Sequence, residues 1–83
     1  PDYVFDKKYT LASLHSLDKY IQTYKHLPNI PAAHIMEKEG IALGDMQTRM
    51  MEKIEELTLY IIDLQKQLDE LKSKKDKNFF INN

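Results

Sequence analysis

Apolar residues in the second half of this chain recur in alternating steps of three and four. Ile54, Leu57, Ile61, Leu64, Leu68 and Leu71 keep a strict a/d heptad register, the pattern in which each side chain becomes a knob for a second helix. Upstream, Leu43, Met46, Met50 and Ile54 step three, four and four, an eleven-residue repeat. Eleven residues favour a straight or slightly right-handed bundle and seven a left-handed one, so the supercoil is expected to tighten past Ile54. The pattern predicts one helix from about Leu43 or Gly44 to about Lys74, a rod of roughly 45 Å, with Asp45 complementing the dipole in its first turn.

The first part, residues 1–43, mixes short elements and holds all three prolines. Tyr3, Val4 and Phe5 read as a short extended segment. Leu14, Leu17, Ile21 and Tyr24 fall on one helical face, with Ser13 placed to cap the N-terminus. That helix is expected to stop before Pro28, and His26 to Pro31 to form a stiff extended connector. A second short helix is expected from Ala32 to Glu39. Gly40 would supply its left-handed terminal residue and Ile41 the apolar contact that follows. The expected division is a collar over 1–43, a coiled-coil helix over 44–75 and a tail over 76–83.

Eighty-three residues support one domain at most, and much of the 42% hydrophobic share lies in a single stripe. One chain has no second long helix to receive the knobs, so the stripe calls for copies of the same chain. Met51, Leu59 and Ile62 lie off the seam, where a bare coiled coil would leave them wet. The collar is therefore expected to fold back over the first half of the rod, with Leu14, Leu17, Ile21 and Tyr24 holding it against Leu59 and Ile62. The second half then projects as a naked bundle. Ile at a with Leu at d favours dimers, whereas the neutral flanks Thr58, Tyr60, Gln65 and Gln67 tolerate the deeper burial of a trimer. The residues leave the two open. Parallel strands fit a short upstream part that must repeat around one axis.

Charge and chemistry narrow the function. A net charge of −1 without a basic face argues against nucleic acid, and Lys72 to Lys77 reads as cations at a helix C-terminus. No apolar run approaches a membrane span, so membrane insertion is not expected. The chain has no cysteine for disulfide or thiolate chemistry. It begins at Pro1 without initiator methionine or signal peptide, which reads as a piece of a longer polypeptide. His15, His26 and His34 form no i,i+4 ligand pair. Ser13 and Ser16 near Lys19 read as capping residues before a nucleophile. Glu52, Glu55, Glu56, Asp63, Asp69 and Glu70 read as a solvated face with pairs such as Glu70 and Lys74. Met46, Met50 and Met51 read as plain core rather than a binding groove. No cofactor, metal site or enzymatic activity is expected. Exposed tyrosines of the collar, Tyr9 and Tyr24 among them, and the FFI tail at Phe79 to Ile81 are the candidates for stacking on host-surface glycan or mucin.

PDYVF at Pro1–Phe5, LASLHSLDKYI at Leu11–Ile21, HLPNIP, EGIALGDM at Glu39–Met46 and EKIEELTLYIIDLQKQL at Glu52–Leu68 occur in order. In this the chain resembles the C-terminal module of tail-fibre-type proteins from Bacteroidetes and their phages. It is also similar, in role and in its terminal coiled coil, to the intramolecular chaperones of endosialidase-type phage fibres. The resemblance spans nearly the whole chain to about Leu71. It implies a mainly α fold: a short helical collar followed by a long C-terminal helix in a parallel trimeric coiled coil. The implied role is a homotrimeric, non-enzymatic tip of a virion tail fibre, or of a bacterial surface protein, registering an upstream shaft or head of the same polypeptide. Three departures stand out. The Ser-Asp segment associated with self-cleavage in the endosialidase kind is missing, Ala32 replaces a frequent capping serine, and KDKNFFINN falls outside the pattern.

Overall fold

The computed structural model describes residues 1–81, with side chains as far as residue 77. The chain is mainly helical. A 3₁₀ turn, Asp2–Phe5, is followed by α1 (Leu14–Tyr24), α2 (Ala33–Glu39) and the long α3 (Leu43–Ile81). The molecule measures 64 × 28 × 18 Å, an elongated body with α3 as its spine.

Each short element ends where local chemistry dictates. The Ser13 hydroxyl accepts from the Ser16 backbone N–H at 3.1 Å and so caps α1 as expected. At the other end Lys25 takes the left-handed conformation (φ 62°, ψ 24°), its N–H donating to the Ile21 carbonyl at 2.8 Å. A non-glycine residue there carries a steric cost of about 1 kcal/mol. Helix α2 begins one residue later than expected, after Ala32, whose side chain has nothing to offer its N-terminus. Gly40 has the positive φ expected of it (75°), but its ψ of 176° is extended rather than left-handed helical. Only glycine adopts that combination readily, and it sends the chain straight into α3.

Three expectations need correction. Tyr3, Val4 and Phe5 lie in a 3₁₀ turn rather than an extended segment, because the Val4 and Asp6 amides donate back to the Pro1 and Tyr3 carbonyls at 3.2 and 3.0 Å. The HLPNIP segment turns instead of extending. The Ile30 N–H reaches the Leu27 carbonyl at 3.2 Å with Asn29 at φ 64°, a type II turn with proline at its preferred second position. Finally, α3 continues beyond Lys74 to Ile81, since KDKNFFI contains neither glycine nor proline to stop it. The side chains of Phe79, Phe80 and Ile81, named above as a sugar-binding candidate, lie outside the described residues, as do Asn82 and Asn83.

The collar folds back onto α3, with the 3₁₀ turn packed against the rod. Among the described residues Val4, at 2% exposure, is the one buried hydrophobic side chain. So thin a core cannot carry the fold by apolar burial alone. The rest of the docking is polar.

Candidate assembly interface

The seam residues predicted from the heptads do share one face of α3, and that face is open. Ile54, Leu57, Ile61, Leu64, Leu68 and Leu71 keep between 45% and 66% of their surface exposed. Leu43 and Met50 are also exposed, while Met46 is half-buried. Half-exposed leucines and isoleucines over some five turns form a contiguous apolar stripe, the kind of surface that marks an interaction site.

On one flank of the rod, about 70–150° round from the seam, lies a second stripe that holds the collar. Arg49, Glu52, Glu56 and Tyr60 are spaced three, four and four, and each grips a different piece of the collar. The Arg49 guanidinium donates to the Asn29 carbonyl at 3.2 Å. Glu52 accepts from the Tyr3 hydroxyl and, at 3.1 Å, from the Asn29 side-chain amide. Glu56 accepts from the Tyr9 hydroxyl at 2.5 Å. The Tyr60 hydroxyl donates to the Ala12 carbonyl at 2.6 Å, pinning the approach to α1. Lys53 bridges the carboxylates from the side, with its ammonium 2.8 Å from Glu56 and 3.5 Å from Glu52.

These contacts overturn the expectation that Glu52, Glu55 and Glu56 form a solvated face. Glu52 and Glu55 are 8% exposed and Glu56 is half-buried. A hydrogen bond from Tyr3, with further help from Asn29 and Lys53, holds the Glu52 carboxyl below the usual carboxylate range against the opposing effect of burial. The phenols respond in the other direction. Glu52 raises Tyr3, and the hydrogen bond to Glu56 raises Tyr9 well above an ordinary tyrosine, because each carboxylate favours the neutral donor. Tyr60 is raised first by burial and then by the charge of Glu56. One oxygen of Glu55, Oε1, is buried without a hydrogen-bond partner among the described residues. Sequence reasoning missed this stripe, although its three-four-four spacing matches that of Leu43, Met46, Met50 and Ile54.

The residues expected to hold the collar divide into two groups. Leu17 and Ile21 are half-buried, and Leu17 helps enclose a cavity of about 130 Å³ with Leu27, Pro28, Leu57 and Tyr60. Leu14 is more exposed but lines a groove with Tyr60 and Leu64. Tyr24 does not face the rod. It is 59% exposed and packs on Tyr20, ring centroids 4.6 Å apart, beside His26. On α3, Leu59 is half-buried as expected, but Met51 and Ile62 stay 45% and 46% exposed. The collar wraps the side of the rod that offers hydrogen bonds, and those two residues lie beyond it.

The remaining candidates have local roles. His26 Nδ1 donates to the Leu27 carbonyl at 2.9 Å, and its ring meets Tyr20 edge-on. The Ser13 and Ser16 hydroxyls bond to each other at 2.9 Å within the α1 cap. Among the described residues no three His, Asp or Glu side chains gather as metal ligands, and no helix is long and apolar enough to cross a membrane. No protein-family profile, curated protein or solved structure matches the chain.

Proposed function

We infer that this chain is a self-assembly module whose seam, Leu43 to Leu71, joins copies of itself into a parallel coiled coil. The observation that carries the reading is the open apolar stripe on α3, beside the flank that the collar already occupies. Water-exposed knobs at a/d spacing are stabilised when another helix supplies the holes, and a symmetric partner of the same sequence supplies them in register. Three strands fit the neutral flanks and the resemblance to fibre tips better than two. In that reading the module is the chaperone-like C-terminal tip of a tail fibre or related surface protein. It brings three upstream shafts together at high effective concentration and so reduces the entropic cost of their folding.

Sedimentation equilibrium tests the reading directly. A trimer at micromolar concentration is expected. A dimer would overturn the strand number, and a stable monomer would overturn the function. A second reading, a glycan- or mucin-binding tip, draws on the exposed Tyr24 ring beside Tyr20 and His26, since flat aromatic faces stack on sugars. Tyr9 no longer belongs to it, because its hydroxyl is engaged by Glu56. Glycan binding lost in Tyr24→Ala would favour this alternative.

A further inference from the structure

Met51 and Ile62 are exposed apolar side chains of α3 that neither the seam nor the collar explains. At about 100° per residue they lie together on one flank of α3, some 110–130° round from the seam. The collar covers the other flank. Its edge forms two open grooves against α3 at different heights. The upper groove, about 350 Å³, lies between Leu27 and Ile30 of the turn and Met46, Met50 and Ile54 of the rod. The lower groove, about 450 Å³, lies between Leu11 to Leu14 and Tyr60 and Leu64.

The two exposed residues and the two grooves match in height. Met51 is level with the middle of the upper groove, whose rod residues span 46–54. Ile62 is level with the lower one, whose rod residues span 60–67. Met51 and Ile62 are eleven residues apart, about 17 Å of helical rise, and the groove centres are separated by about 19 Å. Within one chain they lie on opposite flanks and cannot meet. In a parallel, in-register ring each chain turns one flank toward the opposite flank of its neighbour, so knobs and grooves face each other at every interface. An antiparallel pair overlapping along the same seam would instead bring like flanks together, with Met51 level with Ile62 of the other chain.

We propose that a second, parallel copy of this chain seats its Met51 in the upper groove and its Ile62 in the lower groove, so that each collar clamps the neighbouring rod. This rests on the self-assembly reading and adds to it the direction of the strands and a role for the collar. The collar then belongs to the interface between chains as well as to its own rod. Methionine suits the wider, irregular site because its unbranched thioether adapts to gaps.

The chain is free of cysteine, so introduced thiols report without background. The double variants Met51→Cys/Ile30→Cys and Ile62→Cys/Leu14→Cys, mildly oxidised, are expected to give a covalent ladder ending at the oligomer number on non-reducing gels. Within one chain the width of α3, about 10 Å, separates Met51 and Ile62 from Ile30 and Leu14 of the collar, beyond the roughly 7 Å reach of a disulfide, so the links must join chains. Met51→Lys, at an exposed position, is expected to weaken association about tenfold or more while leaving helicity unchanged. A chain that associates but shows neither effect overturns the clamp and leaves the seam intact. Cross-linking of Met51→Cys/Ile62→Cys at the same yield overturns it in favour of antiparallel strands. A monomer by sedimentation overturns the clamp and the self-assembly reading together.

Discussion

Ile61 lies at the middle of the heptad register and, at two-thirds exposed, has the largest share of unused surface among Ile54 to Leu71. Full burial of an isoleucine is worth about 1.5–3 kcal/mol, so covering the exposed portion contributes about 1–2 kcal/mol per chain. Ile61→Ala removes most of that from each of three chains, about 3–6 kcal/mol in all. At 1.4 kcal/mol per decade, the trimer dissociation constant should rise by about two to four orders of magnitude. Ile61→Asp adds a carboxylate buried against two others on one axis, at several kcal/mol each, which exceeds what the assembly can lose. The expected series in sedimentation equilibrium is a trimer for the parent, a concentration-dependent mixture for Ile61→Ala and a monomer for Ile61→Asp. Lys66→Asp, on the opposite face, should sediment as the parent does. If Ile61→Asp associates with parental affinity, the stripe is not the interface and the argument from exposure fails.

Three further outcomes test the polar stripe. Glu52→Ala removes the acceptor for Tyr3 and Asn29 together, and hydrogen exchange at the Val4, Asp6 and Tyr9 amides should accelerate at least tenfold; unchanged protection would place the docking elsewhere. Docking should also be bounded by pH at both ends. The lowered Glu52 carboxyl contributes stability that is present above the ordinary carboxylate range, about pH 4.3, and is lost as pH falls through its depressed value; the raised Tyr3 and Tyr9 contribute stability present below about pH 10 and lost as pH rises through theirs. Phenolate absorbance should therefore record Tyr3, Tyr9 and Tyr60 titrating later than free tyrosine, with Glu56→Gln bringing Tyr9 back toward the ordinary range. Glu55→Gln replaces a buried carboxylate that has an unpartnered oxygen beside Glu52 and Glu56, and a gain of about 1 kcal/mol in thermal unfolding is expected; a loss would mean that the charge has a partner in the assembly.

Much of this architecture was legible from apolar spacing, and what was not had a common cause. The seam, the Ser13 cap and the turn away from helix before Pro28 follow from periodicity and from local sterics, both of which act within a few residues. The fold-back of the collar followed from asking what could cover Met51, Leu59 and Ile62, although of the three only Leu59 is half-buried. Its chemistry did not. Glu52 and Glu56 look like ordinary surface carboxylates until Tyr3 and Tyr9, 49 and 47 positions upstream, are brought beside them. A pairing of that length leaves no periodic trace, because each half is a single polar residue. The local errors had local reasons. Tyr3 to Phe5 has β-favouring side chains but turns to reach the rod, and in HLPNIP the second proline hid the turn-forming capacity of Asn29 after the first.

The two faces of α3 divide the work of folding between directional and non-directional chemistry. Closing contacts across some 48 positions costs on the order of 3 kcal/mol in loop entropy, and one buried valine cannot offset that. Hydrogen bonds to Glu52, Glu56 and Tyr60 supply the remainder, but only if α3 is already helical, since the stripe exists only when residues 49, 52, 56 and 60 line up. An isolated helix with half its apolar surface in water is a poor template. Association along the seam would make it a good one. Collar docking and self-assembly are then linked equilibria, and each stabilises the other by mass action. The linkage has a visible consequence: exchange protection at Tyr9, far from the lower seam, should fall on dilution and should be lost in Ile61→Asp even though every hydrogen-bonding residue of the collar is unchanged.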